Sequence, residues 1–249
     1  MDEYRGPPLT LRWSRTHGGL PVREVRVPRG RGRGAPFGGQ PWHDTGPHNK
    51  PIDFTVRITR LVDDIVRRCP EWSHIQVPRI LIGFTQASSP GPHGLQARVT
   101  PLRFAGGDVT RRQRGIVYGI QRYFLDDHEY LYLLTFCLPR FLDQDFDSKL
   151  VTVFHELHHM SPAFDGDLRR HKGRCHLHSH SKAEYDRAMT GFARAYLSRK
   201  PDPNLSTFLR LNFQQLRQRH GAIHGVSVPR PKLVPITQRL GEAAARHAD

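Results

Sequence analysis

Two histidines four residues apart with a glutamate between them, in His155-Glu156-Leu157-His158-His159, form the most chemically specific pattern in the chain. On a helix of about 3.6 residues per turn, such positions differ by about 40° around the axis, so His155 and His159 reach one ion from one face. Glu156 is one residue on from a ligand, and it is placed to hold a water at that ion and accept its proton. With 16 His in 249 positions, chance supplies about 0.03 such matches, and the pattern additionally needs a helical, apolar setting. Hydrolytic zinc sites have three protein ligands and one open position. A third ligand is therefore sought downstream among His171, His178, Glu184 and Asp165.

Spacing orders these candidates. Asp165 would end an extended His-Glu-x-x-His-x-x-Gly-x-x-Asp pattern, but Pro162 stands where that turn needs a glycine. Glu184 follows His159 by 25 residues, at the start of a later helix. His171, in the loop Asp167-Leu168-Arg169-Arg170-His171-Lys172-Gly173-Arg174, is the first candidate. Cys175 is read as a buried or free thiol. Arg174, Arg140, Tyr185 and His178 are candidates for stabilising an oxyanion, although pairing of Arg140 and Arg174 with Asp143 or Asp147, and core packing of Tyr185, are the stronger expectations.

The elements that must position these groups are legible from periodicity. Phe146 to Met160 carries Leu150, Val151, Val153, Phe154 and Leu157, which predicts a buried helix capped by Asp145 or Asp147. Phe54, Ile58, Leu61, Val62, Ile65 and Val66 predict an amphipathic helix ending before Pro70. Two more helices are expected over Ala183 to Leu197 and Asn204 to Gly221. Strands are expected over 79–84, 97–104, 115–123 and 130–138. The fold class is α+β, a small, mainly antiparallel sheet packed on the active-site helix with further C-terminal helices. We expect a flexible basic Gly/Pro/Arg-rich arm over 1–50, one domain over 51–225 and a tail over 226–249.

The run Val153-Phe154-His155-Glu156-Leu157-His158-His159-Met160-Ser161-Pro162, followed by Asp165-Gly166 and Leu168-Arg169-Arg170-His171, resembles the zincin-like metallopeptidases of phages, bacteria and archaea. The likeness reaches back to Leu138-Pro139-Arg140-Phe141 and covers roughly residues 75 to 180. It implies a zincin fold with an edge strand along the cleft, His155 and His159 as zinc ligands, Glu156 as base and His171 as third ligand; an extended peptide is expected to pair with that edge, within Tyr130 to Leu138. A more distant similarity to SprT-like proteases is implied by the same architecture and basic charge.

Composition sets the remaining bounds. The net charge is +15 and Arg outnumbers Lys by 32 to 6, which suits phosphate binding but also follows from a GC-rich coding sequence. The alternation Arg29-Gly30-Arg31-Gly32-Arg33-Gly34 can hold nucleic acid without folding. Three separated cysteines form no CxxC pair, and the N-terminus Met1-Asp2-Glu3-Tyr4-Arg5 lacks a secretory pattern; the expectation is a cytoplasmic chain without membrane spans. The expected function is a zinc-dependent metalloprotease, a hydrolase acting on a peptide or protein. The alternatives are a nucleic-acid-associated protein on a zincin scaffold, bound through its basic arm, and a metal-stabilised structural module.

Overall fold

The aromatic and apolar run that ends at Leu138 forms the centre of the fold, not its edge. A computed structural model of the chain describes residues 7–27, 45–87, 94–170 and 182–236. Strands β1 (Thr10–Trp13), β2 (Val22–Glu24) and β3 (Ile52–Asp53) precede helix α1 (Phe54–Arg68). Then come β4 (Ile80–Gln86), β5 (Ala97–Pro101), β6 (Thr110–Gln113), β7 (Ile116–Ile120), β8 (Arg122–Leu125), β9 (His128–Tyr130) and β10 (Tyr132–Leu138). Helices α2 (Phe146–His158), α3 (Lys182–Ser198) and α4 (Phe213–His220) follow, with β11 (Ile223–Val226) and β12 (Leu233–Pro235) last. The class is α+β. The strands form four three-stranded sheets, ordered β4-β10-β5, β1-β8-β9, β2-β11-β3 and β12-β7-β6.

β10 runs parallel to β4 and antiparallel to β5. Tyr132, Leu134, Phe136 and Leu138 point into the core shared with α1, α2 and α3, while Leu133 joins a second cluster behind the sheet with Leu81, Tyr123 and Leu125. A strand covered on both faces is apolar throughout, which is why 130–138 lacks alternation. The expectation of a substrate edge within Tyr130 to Leu138 is thereby corrected: the edge beside α2 is β5. Its Ala97 and Val99 are buried against the helices, whereas Arg98 and Thr100 alternate to the other face and stay half-buried.

Helices α1 and α2 each start at a side-chain cap. Asp53 accepts the Val56 N–H at 2.9 Å and Asp145 accepts that of Ser148 at 2.7 Å, so Asp145 rather than Asp147 starts α2. Leu150, Val153, Phe154 and Leu157 seat α2 in the core, where the Trp72 ring meets Phe154 edge-on at 5.1 Å. Gly83 is required by packing, because a Cβ there would lie 2.7 Å from the Val226 carbonyl oxygen of β11.

Three expectations change. The helix expected over 204–221 is replaced by two tight turns, an extended Leu211 and a shorter α4, which starts where Asn212 and Gln215 cap one another. Residues 1–50 are not wholly an arm, since β1 pairs in parallel with β8 and β2 pairs with β11. The expected tail likewise contributes β12, paired with β7. The Arg29 to Gly34 run lies outside the described residues, as do residues 237–249. Among the described residues, no helix is long and apolar enough to cross a membrane.

Lys149, on α2, is 1% exposed and donates to the carbonyls of Leu209 at 2.7 Å and Leu211 at 2.8 Å. These bonds fasten the non-helical segment before α4 to α2. Burial pushes the ammonium down to about 8, against the pull of Asp143 and Asp145. Between that value and the unfolded pKa, the unfolded chain holds more protons, so stability rises with pH there. Relative to Lys149→Met, the wild type is expected to gain up to about 3 kcal/mol between pH 7.5 and 10.5, measured by urea unfolding of both proteins.

Candidate metal centre

α2 keeps helical geometry through its last turn, and His159 caps it at φ −71° and ψ −16°, so the four-residue spacing is preserved on one face. The rings of His155 and His159 lie 4.6 Å apart at 79°, both half-buried. Glu156, one position on, turns into the interior and is 7% exposed. Its Oε2 accepts the Val99 N–H of β5 at 2.7 Å. Burial pushes this carboxyl up to about 7, opposed by that hydrogen bond and by the charge of Arg98. A carboxyl near neutrality can take and return a proton at ordinary pH.

Tyr185, 4% exposed on α3, covers the histidines. Its ring lies 4.9 Å from that of His155 and stacks at 18° on that of His159, 6.1 Å away. Its hydroxyl sits 3.0 Å from His158 Nδ1, and burial pushes the phenol well up. Packing and orientation of the helix are what this contact performs. His158 thus supports the pair from beside it, as its place on the helix predicts.

The chain leaving α2 is folded back onto the end of the helix. Tyr132 Oη donates to the Asp167 carbonyl at 2.8 Å and accepts the Gly166 N–H at 3.1 Å. Met160 pairs with Leu168, the Arg169 N–H donates to the His159 carbonyl at 2.7 Å, and Arg169 Nε donates to that of His158 at 2.8 Å. Carbonyls at a helix C-terminus lack intrahelical donors, and a guanidinium there satisfies both the hydrogen bond and the dipole.

The predicted site residues divide accordingly. His155, Glu156 and His159 share one end of α2, with Tyr185 against them. Asp165 sits in the returning turn, where its carboxylate accepts the Asp167 N–H at 3.1 Å and rests against Gly107. Glu184 is exposed on the first turn of α3. His171 and His178 lie outside the described residues, together with Arg174, Cys175, His176 and His180. Among the described residues, no three His, Cys, Asp or Glu side chains gather as a metal-holding group. Arg140 donates to the Leu95 carbonyl at 3.0 Å and lines a cavity with Arg98 and Thr135, on the sheet face away from α2. The groups missed from sequence are the Val99 N–H, since a backbone donor leaves no residue-type signal, and Arg169, whose C-terminal capping role depends on the chain's return.

The chain was compared with models of known protein families, with curated proteins and with solved structures. None matches.

Tyr185 provides a direct check on this geometry. Tyr185→Phe keeps the ring and loses the hydroxyl, and is expected to cost about 1 kcal/mol. Tyr185→Ala also opens a cavity beside the histidines and is expected to cost about 3–5 kcal/mol, both measured by urea unfolding.

Proposed function

We propose that this chain is a zinc-dependent peptidase of zincin type, in which His155 and His159 hold the ion, His171 completes the ligand set and Glu156 is the general base. The observation that carries this reading is the position of Glu156. Its carboxylate, raised to about 7, accepts the outward-facing Val99 N–H of an edge strand, one helix position on from His155. Two imidazoles on one face, with an acidic group beside them, suit zinc in an open hydrolytic site. When bound, zinc supplies an acidified water and polarises a carbonyl.

The rest follows from the chain's own groups. An extended peptide can pair with β5, whose outward backbone row is not used by β10. A peptide carbonyl that takes the Val99 N–H would displace the Glu156 carboxylate from it. The carboxylate is then free to accept a proton from the attacking water and pass it to the leaving amine. Chain connectivity favours His171 among the third-ligand candidates, because Arg169, two residues earlier, is hydrogen-bonded to His159. Asp165 is disfavoured by its engagement within its own turn.

Elemental analysis of untagged protein, paired with a peptide-cleavage assay, tests this. About one zinc per chain is expected in wild type and Glu156→Gln, with little in His155→Ala and His171→Ala. Cleavage should fall by about 10²–10⁴-fold in Glu156→Gln. Zinc that survives Glu156→Gln without any cleavage in wild type would point instead to a metal-stabilised scaffold. A steep salt dependence of nucleic-acid binding would then favour the nucleic-acid alternative.

A further inference from the structure

The face of the β4-β10-β5 sheet turned away from α2 carries a cavity of about 330 Å³ that the proposed chemistry does not use. The residues that line it include Arg98, Arg140 and Arg230 together with Thr85, Thr100 and Thr135. Among the described residues, no carboxylate and no aromatic ring lines it. Arg98 and Arg230 make no ion pair among the described residues. Half-buried Arg98, whose charge acts on Glu156 but which makes no ion pair among the described residues, thus borders a cavity with room for an anion.

Strand register relates this cavity to the edge of β5. Gln96 and Leu102, which flank the strand, turn their backbone groups to β10, the first accepting from Cys137 and the second donating to Leu131. Val99 turns its N–H outward to Glu156. In an extended pairing, directly opposed residues point to the same face and their neighbours to the other. A peptide residue opposite Val99 therefore faces α2 and the histidines. Its two neighbours face the side on which Arg98 and Thr100 lie.

We propose that Arg98, Arg140 and Arg230 form an acid-selective pocket, which accepts an Asp or Glu side chain of an extended peptide paired along β5. This rests on the peptidase reading for its orientation and names the substrate class of that site. Guanidinium groups bind carboxylates in a fixed two-point geometry, and the threonine hydroxyls can supply further donors to the same group. The far end of β5 agrees in charge. A second cavity, of about 720 Å³, opens beside Pro101 and is lined by Arg111, Arg112, Arg169 and Arg170, against Asp108 and Asp167. Peptide is favoured over single-stranded nucleic acid because, among the described residues, the first cavity presents no aromatic surface for stacking a base.

Fluorescence anisotropy with the full chain carrying Glu156→Gln tests the pocket without turnover. The probes are a labelled extended peptide with one internal Glu, the same peptide with Gln, and a short single-stranded oligothymidylate. The Glu peptide is expected to bind at least about tenfold tighter than the Gln peptide, and Arg98→Gln or Arg230→Gln should erase most of that difference. Circular dichroism melting of each variant establishes that its fold is retained. Exposed Arg230 provides the second variant should Arg98→Gln unfold. Equal binding of the two peptides, or binding of neither, overturns the proposal, as does Arg98-dependent binding of the oligonucleotide in preference to both. Cleavage of the same peptides by wild type separates the two readings. Discrimination in binding without cleavage sustains the pocket and removes the peptidase reading, whereas cleavage of both peptides at equal rates, with equal binding, removes the pocket alone.

Discussion

A carboxylate withdrawn from water needs hydrogen-bond donors in place of the solvent it has lost, and Glu156 finds one in the Val99 N–H. That single bond joins α2 to the edge strand β5, the two elements that the proposed peptidase reading needs in register. It is strong enough to fix the side chain, yet too little to return the carboxyl to its ordinary acidity, so burial prevails and the group sits near neutrality. The same burial therefore positions the group and tunes it.

α2 holds its place through contacts at both ends. Toward its N-terminus, Lys149 reaches the carbonyls of Leu209 and Leu211, so an ammonium in the core serves as a fastening for backbone that no helix or sheet satisfies. At the C-terminal end, Arg169 covers the last carbonyls and Tyr185 lies across the histidine rings. Between them the apolar stripe of Leu150, Val153, Phe154 and Leu157 sets the rotation of the helix. The helix cannot turn about its axis to carry Glu156 away from β5 without breaking contacts of all three kinds.

What could be read from sequence was what depends on local periodicity. α1, α2 and α3 follow their apolar spacing, and the His155, Glu156, His159 pattern identified its own helix. Long-range pairing was not legible. β1 and β2 are only four and three residues long and are held by partners more than 100 residues away, so no local pattern distinguishes them from an arm. The Tyr130 to Leu138 run was read as an edge, although its unbroken apolar character is what double coverage produces. The break before α4 had a readable signal in Asn212 and Gln215, a capping pair three apart that marks a helix start inside the expected helix. The hydrogen-bond partner of Glu156 had none, since the identity of Val99 says nothing about where its N–H points.

The alternation of β5 gives the site its economy. Ala97 and Val99 face the helices because the core demands apolar side chains there, and the pleat then forces Arg98 and Thr100 onto the opposite face. A strand that pairs along its edge inherits that alternation. Under the proposed reading, the residue at the histidines and the residues beside it meet different surroundings, one apolar and metal-binding, the other cationic and hydroxyl-rich. Chemistry and selectivity are then separated by the thickness of a single sheet. A change at Arg98 alters what the strand accepts, and only the modest pull of its charge on Glu156 carries over to the other side. Selectivity can vary on one face of such an edge while the core-facing residues that hold the Glu156 carboxyl stay as packing requires.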